Sequence, residues 1–112
     1  FSEGRPTSID PPASVEATFT PQVNSDLICM LDYGKSRIGN EDIIFLDVRS
    51  DGEWDGTNSR GNERSGRVPG AIHLEWTNFI SRDSHHTIKT ADELNEILRT
   101  AGVTPEKEIV TY

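Results

Sequence analysis

Ile43-Ile44-Phe45-Leu46-Asp47-Val48-Arg49 is an unbroken apolar run that ends in an acid and a base. Consecutive apolar side chains without polar alternation suit a strand covered on both faces, as in a parallel sheet. In such sheets ligands gather beyond the carboxyl ends of the strands. That rule draws attention to Asp47 and to whatever lies beside it.

Reading outward, Glu108-Ile109-Val110-Thr111-Tyr112 is a second β-branched run, and Val68-Pro69-Gly70-Ala71-Ile72-His73-Leu74 is a turn followed by a short strand. Between the last two lies a helix. Thr90-Ala91-Asp92-Glu93 has the form of a capping box, Leu94, Ile97 and Leu98 fall on one face at helical spacing, and Gly102 marks the stop. Thr77-Asn78-Phe79-Ile80 reads as a single helical turn. The stretch from Asp51 to Arg67 is polar and glycine-rich, an exposed loop. Upstream, Asn24 or Ser25 can cap a helix through Asp26–Gly34, with Gly34 as its stop, and Ala17-Thr18-Phe19-Thr20 alternates as a short strand does. Strands separated by helices argue for an α/β fold with a mainly parallel sheet. Residues 1–16, with Pro6, Pro11 and Pro12, read as a proline-rich linker or lead-in, and residues 17–112 as one domain.

The chain of 112 residues carries 19 acidic and 11 basic side chains, a net charge of −8. That field disfavours nucleic acid and anionic membrane surfaces as partners. No apolar stretch approaches the roughly 18 residues a membrane span needs. No charged-then-apolar leader opens the chain, so a cytoplasmic setting is expected. A single cysteine, Cys29, allows no internal disulfide, and with three scattered histidines it does not make a zinc site. Neither a metal nor another cofactor is expected.

Three stretches carry a resemblance. IIFLDVRSDGEW (43–54), GRVPGAIHLEW (66–76) and TADELNEILRTAGVTPEKEIVTY (90–112) resemble, in this order and spacing, the rhodanese family of sulfurtransferases. The lead-in is similar to the passage joining the two halves of tandem-rhodanese enzymes, which implies a missing N-terminal rhodanese domain. The resemblance implies a three-layer fold, a mainly parallel sheet flanked by helices. It also implies transfer of a sulfane sulfur from a small anionic donor, thiosulfate or 3-mercaptopyruvate, to cyanide or a thiol. In the family a cysteine follows the strand that matches EIVTY, opens a loop of converging N–H groups, and carries the sulfur as a persulfide. On that match the nucleophile follows Tyr112, the active-site loop and last helix lie beyond this chain, and the chain alone is inactive. Two other readings share the fold: a catalytically silent binding or regulatory module, and an enzyme acting on phosphate esters through a longer, arginine-bearing loop.

The residues present are then expected to support a site. Asp47 is placed to hold the loop, or instead to cap the short helix in DGEW. Arg49 is expected to pair with Glu53, four residues on, and to fix the rim from beneath. Glu53 departs from tandem members that carry an arginine there to contact the anionic donor, so anion binding has to come from elsewhere. Trp76 either walls the pocket or anchors the sheet. Arg60, Arg64 and Arg67 read as loop cations in solvent and His85-His86 as loop histidines. His73 reads as a packed strand residue. Cys29, in the apolar LICML stretch, reads as a small buried hydrophobe on a helix.

Overall fold

The computed structural model describes residues 3–83 and 86–112. Its centre is a three-stranded parallel sheet in the order β2-β1-β3, with β1 at Ile43–Asp47, β2 at Ile72–His73 and β3 at Glu108–Thr111. The middle strand is the apolar run. Ile44 pairs with Ile109, Phe45 with Val110 and Leu46 with Thr111 on one side, while Leu46 pairs with Ile72 and Asp47 with His73 on the other.

Both faces of β1 are covered, which is why its apolar residues do not alternate. Ile44 and Leu46 point into a cluster with Val103, packed by Ile72, Leu74, Leu98 and Ala101. Leu98 comes from α3 (Ala91–Thr100), and of that helix's side chains only Leu94, Ile97 and Leu98 are half-buried, the face its spacing predicts. Phe45 points to the opposite face, where α1 (Leu31–Arg37) lies: a Cβ on Gly34 would sit 3.9 Å from the Phe45 ring. Helix, sheet and helix form the three layers. The short helix α2 (Asp51–Asp55) follows β1 directly, and a 3-10 turn, Trp76–Phe79, follows β2.

The start of α3 is locally determined. Glu93 Oε2 accepts from Thr90 N at 2.9 Å and from Thr90 Oγ1 at 2.7 Å, while Glu93 N donates back to Thr90 Oγ1. Thr90→Ala removes one half of this box and costs about 1 kcal/mol, read as a lower thermal midpoint. An unchanged midpoint would show that packing alone fixes the helix start.

The amino-terminal third departs from expectation. Ala17–Thr20 is not a strand: no described residue pairs with it, Phe19 is exposed, and Pro21 follows at once. A short extended segment without a partner strand leaves its backbone groups to water. The long helix through Asp26–Gly34 is also absent. Asn24 Oδ1 accepts from Asp26 N at 3.1 Å and closes only a 3-10 turn, Ser25–Leu27; Ile28 and Met30 are extended, and α1 begins at Leu31. Gly34 lies inside α1 instead of ending it. A Cβ there would meet Cys29 Sγ at 3.4 Å and the Phe45 ring at 3.9 Å, ordinary contacts that leave room for a small side chain. The turn falls to Gly39, at φ +84°. Cys29 is therefore exposed and precedes the helix, where the sequence placed it buried and on one.

Candidate functional site

The chain leaves β1 between two neighbours that clamp its carboxyl end. Val48 N donates to Tyr112 O at 3.1 Å and Tyr112 N to Leu46 O at 3.3 Å on the β3 side. Leu74 N donates to Asp47 O and Trp76 N to Val48 O, both at 2.9 Å, on the β2 side. The side chains collected here are those of Asp47, Arg49 and Tyr112.

Asp47 is fully buried, the only charged side chain so placed among the described residues. Its Oδ1 accepts from Arg49 N at 3.0 Å and Arg49 Nε at 2.9 Å, and its Oδ2 accepts from Arg49 Nη2 at 2.6 Å. The same Nη2 donates to Gly66 O at 2.9 Å, tying the glycine-rich loop to the strand end. Tyr112 Oη accepts from Val68 N at 3.0 Å and lies beside the Asp47 carboxylate, and the Arg49 guanidinium lies 5.1 Å from the Tyr112 ring centroid. Burial pushes the Asp47 carboxyl upward, but Arg49 and Tyr112 together outweigh it and hold the group below its ordinary range. Burial pushes the Tyr112 phenol above its ordinary value, with the Asp47 charge adding to the rise. The result is a rigid, charge-compensated floor under the carboxyl ends of β1 and β3. It carries no nucleophile of its own.

The expected Arg49–Glu53 pair does not form. Asp47 engages the guanidinium in a two-pronged bond, a geometry that a carboxylate two residues away can reach because β1 ends there. Glu53 is instead the far half of a capping box on α2, accepting from Ser50 Oγ at 2.6 Å and Ser50 N at 3.3 Å, with Arg60 Nε 3.4 Å away. Those Ser50 bonds hold its carboxyl low. Asp47 does not cap α2, since Ser50 occupies that position. Arg60 is thus paired and not merely a solvated loop cation.

A second layer lies behind the floor. The Trp54 and His73 rings stack at 4.8 Å and 6° between planes, and the Arg67 guanidinium covers the Trp54 ring at 4.2 Å. Arg67 Nη1 also donates to Trp54 O at 3.0 Å, so this side chain staples the loop to α2 instead of floating in solvent. His73 Nε2 lies 2.9 Å from the Arg49 carbonyl, a bond that requires the Nε2–H form, and Nδ1 faces Asp51 at 3.7 Å. Trp76 joins the site through its backbone; its side chain is 57% exposed at the rim, so it is not a core anchor. His86 is exposed, and His85 lies outside the described residues.

Sequence reasoning placed Asp47 and Arg49 at the exit of β1, where the structure has them, but missed Tyr112 and the Arg67–Trp54–His73 stack. Tyr112 had a signal: an aromatic with a hydroxyl directly after a β-branched strand. The stack had none, because it joins residues far apart in sequence through a loop without regular structure.

A family model described as "Rhodanese-like domain" matches residues 30–112. Among curated relatives, the thiosulfate sulfurtransferase of Pseudomonas aeruginosa is 31% identical over 90% of this chain and 36% of its own length. That of Azotobacter vinelandii is 30% identical over the whole chain and 40% of its own. The chain thus spans well under half of these relatives. Among solved structures, a variant of EanB carrying a cysteine persulfide, with ergothioneine, superposes at a TM-score of 0.74 and 27% identity, over 99% of this chain and 29% of that one. The anaerobic ergothioneine biosynthesis enzyme of Chlorobium limicola, with trimethyl histidine, gives 0.62 and 30% over 73% and 21%. With the parallel sheet, the clamped strand end and the family match over residues 30–112, the chain belongs to the rhodanese family.

Proposed function

We propose that the protein to which this chain belongs is a sulfurtransferase, and that this chain is the scaffold of its catalytic domain. The observation that carries the reading is the Asp47–Arg49–Tyr112 floor at the carboxyl ends of β1 and β3, in a chain related to thiosulfate sulfurtransferases. A loop continuing from Tyr112 would start directly on that floor.

In this reading a cysteine just past Tyr112 attacks the outer sulfur of thiosulfate as its thiolate. The sulfur–sulfur bond of the donor breaks, sulfite leaves with the bonding pair, and the sulfur stays on the cysteine as a persulfide. Cyanide or a thiol then attacks that terminal sulfur, takes it as thiocyanate or as a new persulfide, and returns the thiolate. With 3-mercaptopyruvate the same attack would release pyruvate once its carbon is protonated. No redox cofactor or metal is needed, since the sulfur passes between nucleophiles. The site must hold a negative persulfide, a task for backbone N–H groups of the loop. Asp47, Arg49 and Glu53 support that loop from beneath, and Trp76 borders it. A second rhodanese-like domain preceding this one is part of the proposal.

The test is thiocyanate production by the parent protein from thiosulfate and cyanide, with the cysteine next to Tyr112 intact and replaced by alanine. Activity that disappears on replacement supports the reading. A parent with no cysteine in the loop, or one that stays active after replacement, overturns it; the former points to the silent binding module.

A further inference from the structure

Glu53 is occupied by Ser50 and Arg60, and the one cation on the floor, Arg49, is neutralised by Asp47. Neither is available to an anionic sulfur donor. Positive charge with free donors is found elsewhere, beside the same strand end. The antiparallel bridge Ile80–Ile88 makes a narrow hairpin, fastened by Ser81 N to Thr87 O at 2.7 Å and Lys89 N to Phe79 O at 2.9 Å. Between this hairpin and the Trp76–Phe79 turn runs a groove of about 320 Å³. Trp76 walls it, Arg82 and Lys89 supply charge beside His86, and among the described residues no carboxylate lines it, in a chain whose net charge is −8.

Those cations still have donors to give. Lys89 Nζ spends one N–H on Asn78 O at 2.7 Å, which positions the ammonium and leaves two more. Arg82 makes no hydrogen bond or ion pair with another described residue. The neighbouring acid, Asp83, accepts from Thr87 Oγ1 at 3.3 Å. Trp76 links the groove to the floor, because its N–H holds Val48 O at the exit of β1 while its ring forms the groove wall.

We propose that this groove binds a small oxoanion through Arg82 and Lys89, with Trp76 as its wall, and so captures the anionic sulfur donor. The proposal rests on the sulfurtransferase reading for the identity of the donor, but the anion site itself stands on the groove. A doubly charged oxoanion fits two separated cations better than a singly charged carboxylate does, so thiosulfate is favoured over 3-mercaptopyruvate. Arg82 is exposed and Lys89 only half-buried, so binding is weak, on the order of millimolar, and falls with ionic strength.

The chain is titrated with sodium thiosulfate at constant ionic strength while the Trp76 indole N–H is followed by NMR, assigned by its loss in Trp76→Phe. A saturable shift is expected. Arg82→Gln with Lys89→Gln weakens binding by about tenfold per charge lost, whereas Arg82→Lys keeps most of it. In the parent protein the Gln pair raises KM for thiosulfate and leaves kcat within about twofold, the pattern of lost ground-state binding. No saturable shift, or equal binding by the Gln pair, overturns the site. A parent that forms persulfide with an unmoved KM overturns it while sparing the sulfurtransferase reading. A parent that binds thiosulfate here but forms no persulfide sinks that reading and leaves the anion site standing.

Discussion

Replacing Arg49 with Met will cost about 3–5 kcal/mol at neutral pH, because it strands a fully buried carboxylate. Wild-type Asp47 has three bonds from Arg49, two from the side chain and one from the backbone. The variant keeps the backbone N–H and the Tyr112 hydroxyl but loses the charge that answers the buried anion. The pH dependence reverses as well. In the wild type the folded-state pKa of Asp47 lies below the unfolded value. Its contribution is therefore complete above about pH 4, the unfolded value, and is lost as pH falls through the folded one. In Arg49→Met burial dominates, and the folded pKa rises above the unfolded value. The folded state then binds the extra proton, so the variant gains stability on acidification from pH 7 toward pH 4, where the wild type gains none. Urea unfolding at pH 7 and pH 4.5 checks both statements. A variant with the wild type's pH slope, or a loss under 1 kcal/mol, would show that Tyr112 and the backbone suffice to hold the charge.

Leu46→Ala is the second large effect, at about 2–5 kcal/mol. Leu46 is 4% exposed and shares its cluster with Ile44 and Val103 under α3. Only four apolar side chains are buried among the described residues: Ile44, Phe45, Leu46 and Val103. Its neighbours across the sheet, Ile72 and Thr111, are held in hydrogen-bonded strands, which limits collapse into the cavity left at Leu46. A loss of this size is a large share of the stability a small domain possesses. The urea midpoint reads it, with Val23→Ala as the control at an exposed position, where the change stays within about 0.5 kcal/mol. Equal shifts for the two variants would contradict the placement of the core.

The parallel sheet was legible because β1 writes its double burial into four adjacent apolar residues, and α3 because its capping box and apolar face are local signals. The single helical turn read at Thr77–Ile80 is found one residue earlier, as the 3-10 turn Trp76–Phe79. What failed depends on tertiary partners. Ala17–Thr20 alternates like a strand but meets no neighbour, so period alone could not decide it. Gly34 was read as punctuation, whereas it lies inside α1 on the side facing Cys29 and Phe45. In the site, Arg49 had two carboxylates within reach along the chain. Helical spacing favoured Glu53, but Ser50 had already drawn that carboxylate into a cap, and the end of β1 presented Asp47. Tyr112 and the Arg67–Trp54–His73 stack arise from contacts between distant segments, which no single window of sequence contains.

The most direct test of the central claim is peptide-resolved mass spectrometry of the parent protein after incubation with thiosulfate. The account predicts an added sulfur, about 32 Da, on the cysteine next to Tyr112, removed by cyanide and absent from Cys29. Sulfur found on Cys29 instead, or on no cysteine at all, would contradict it.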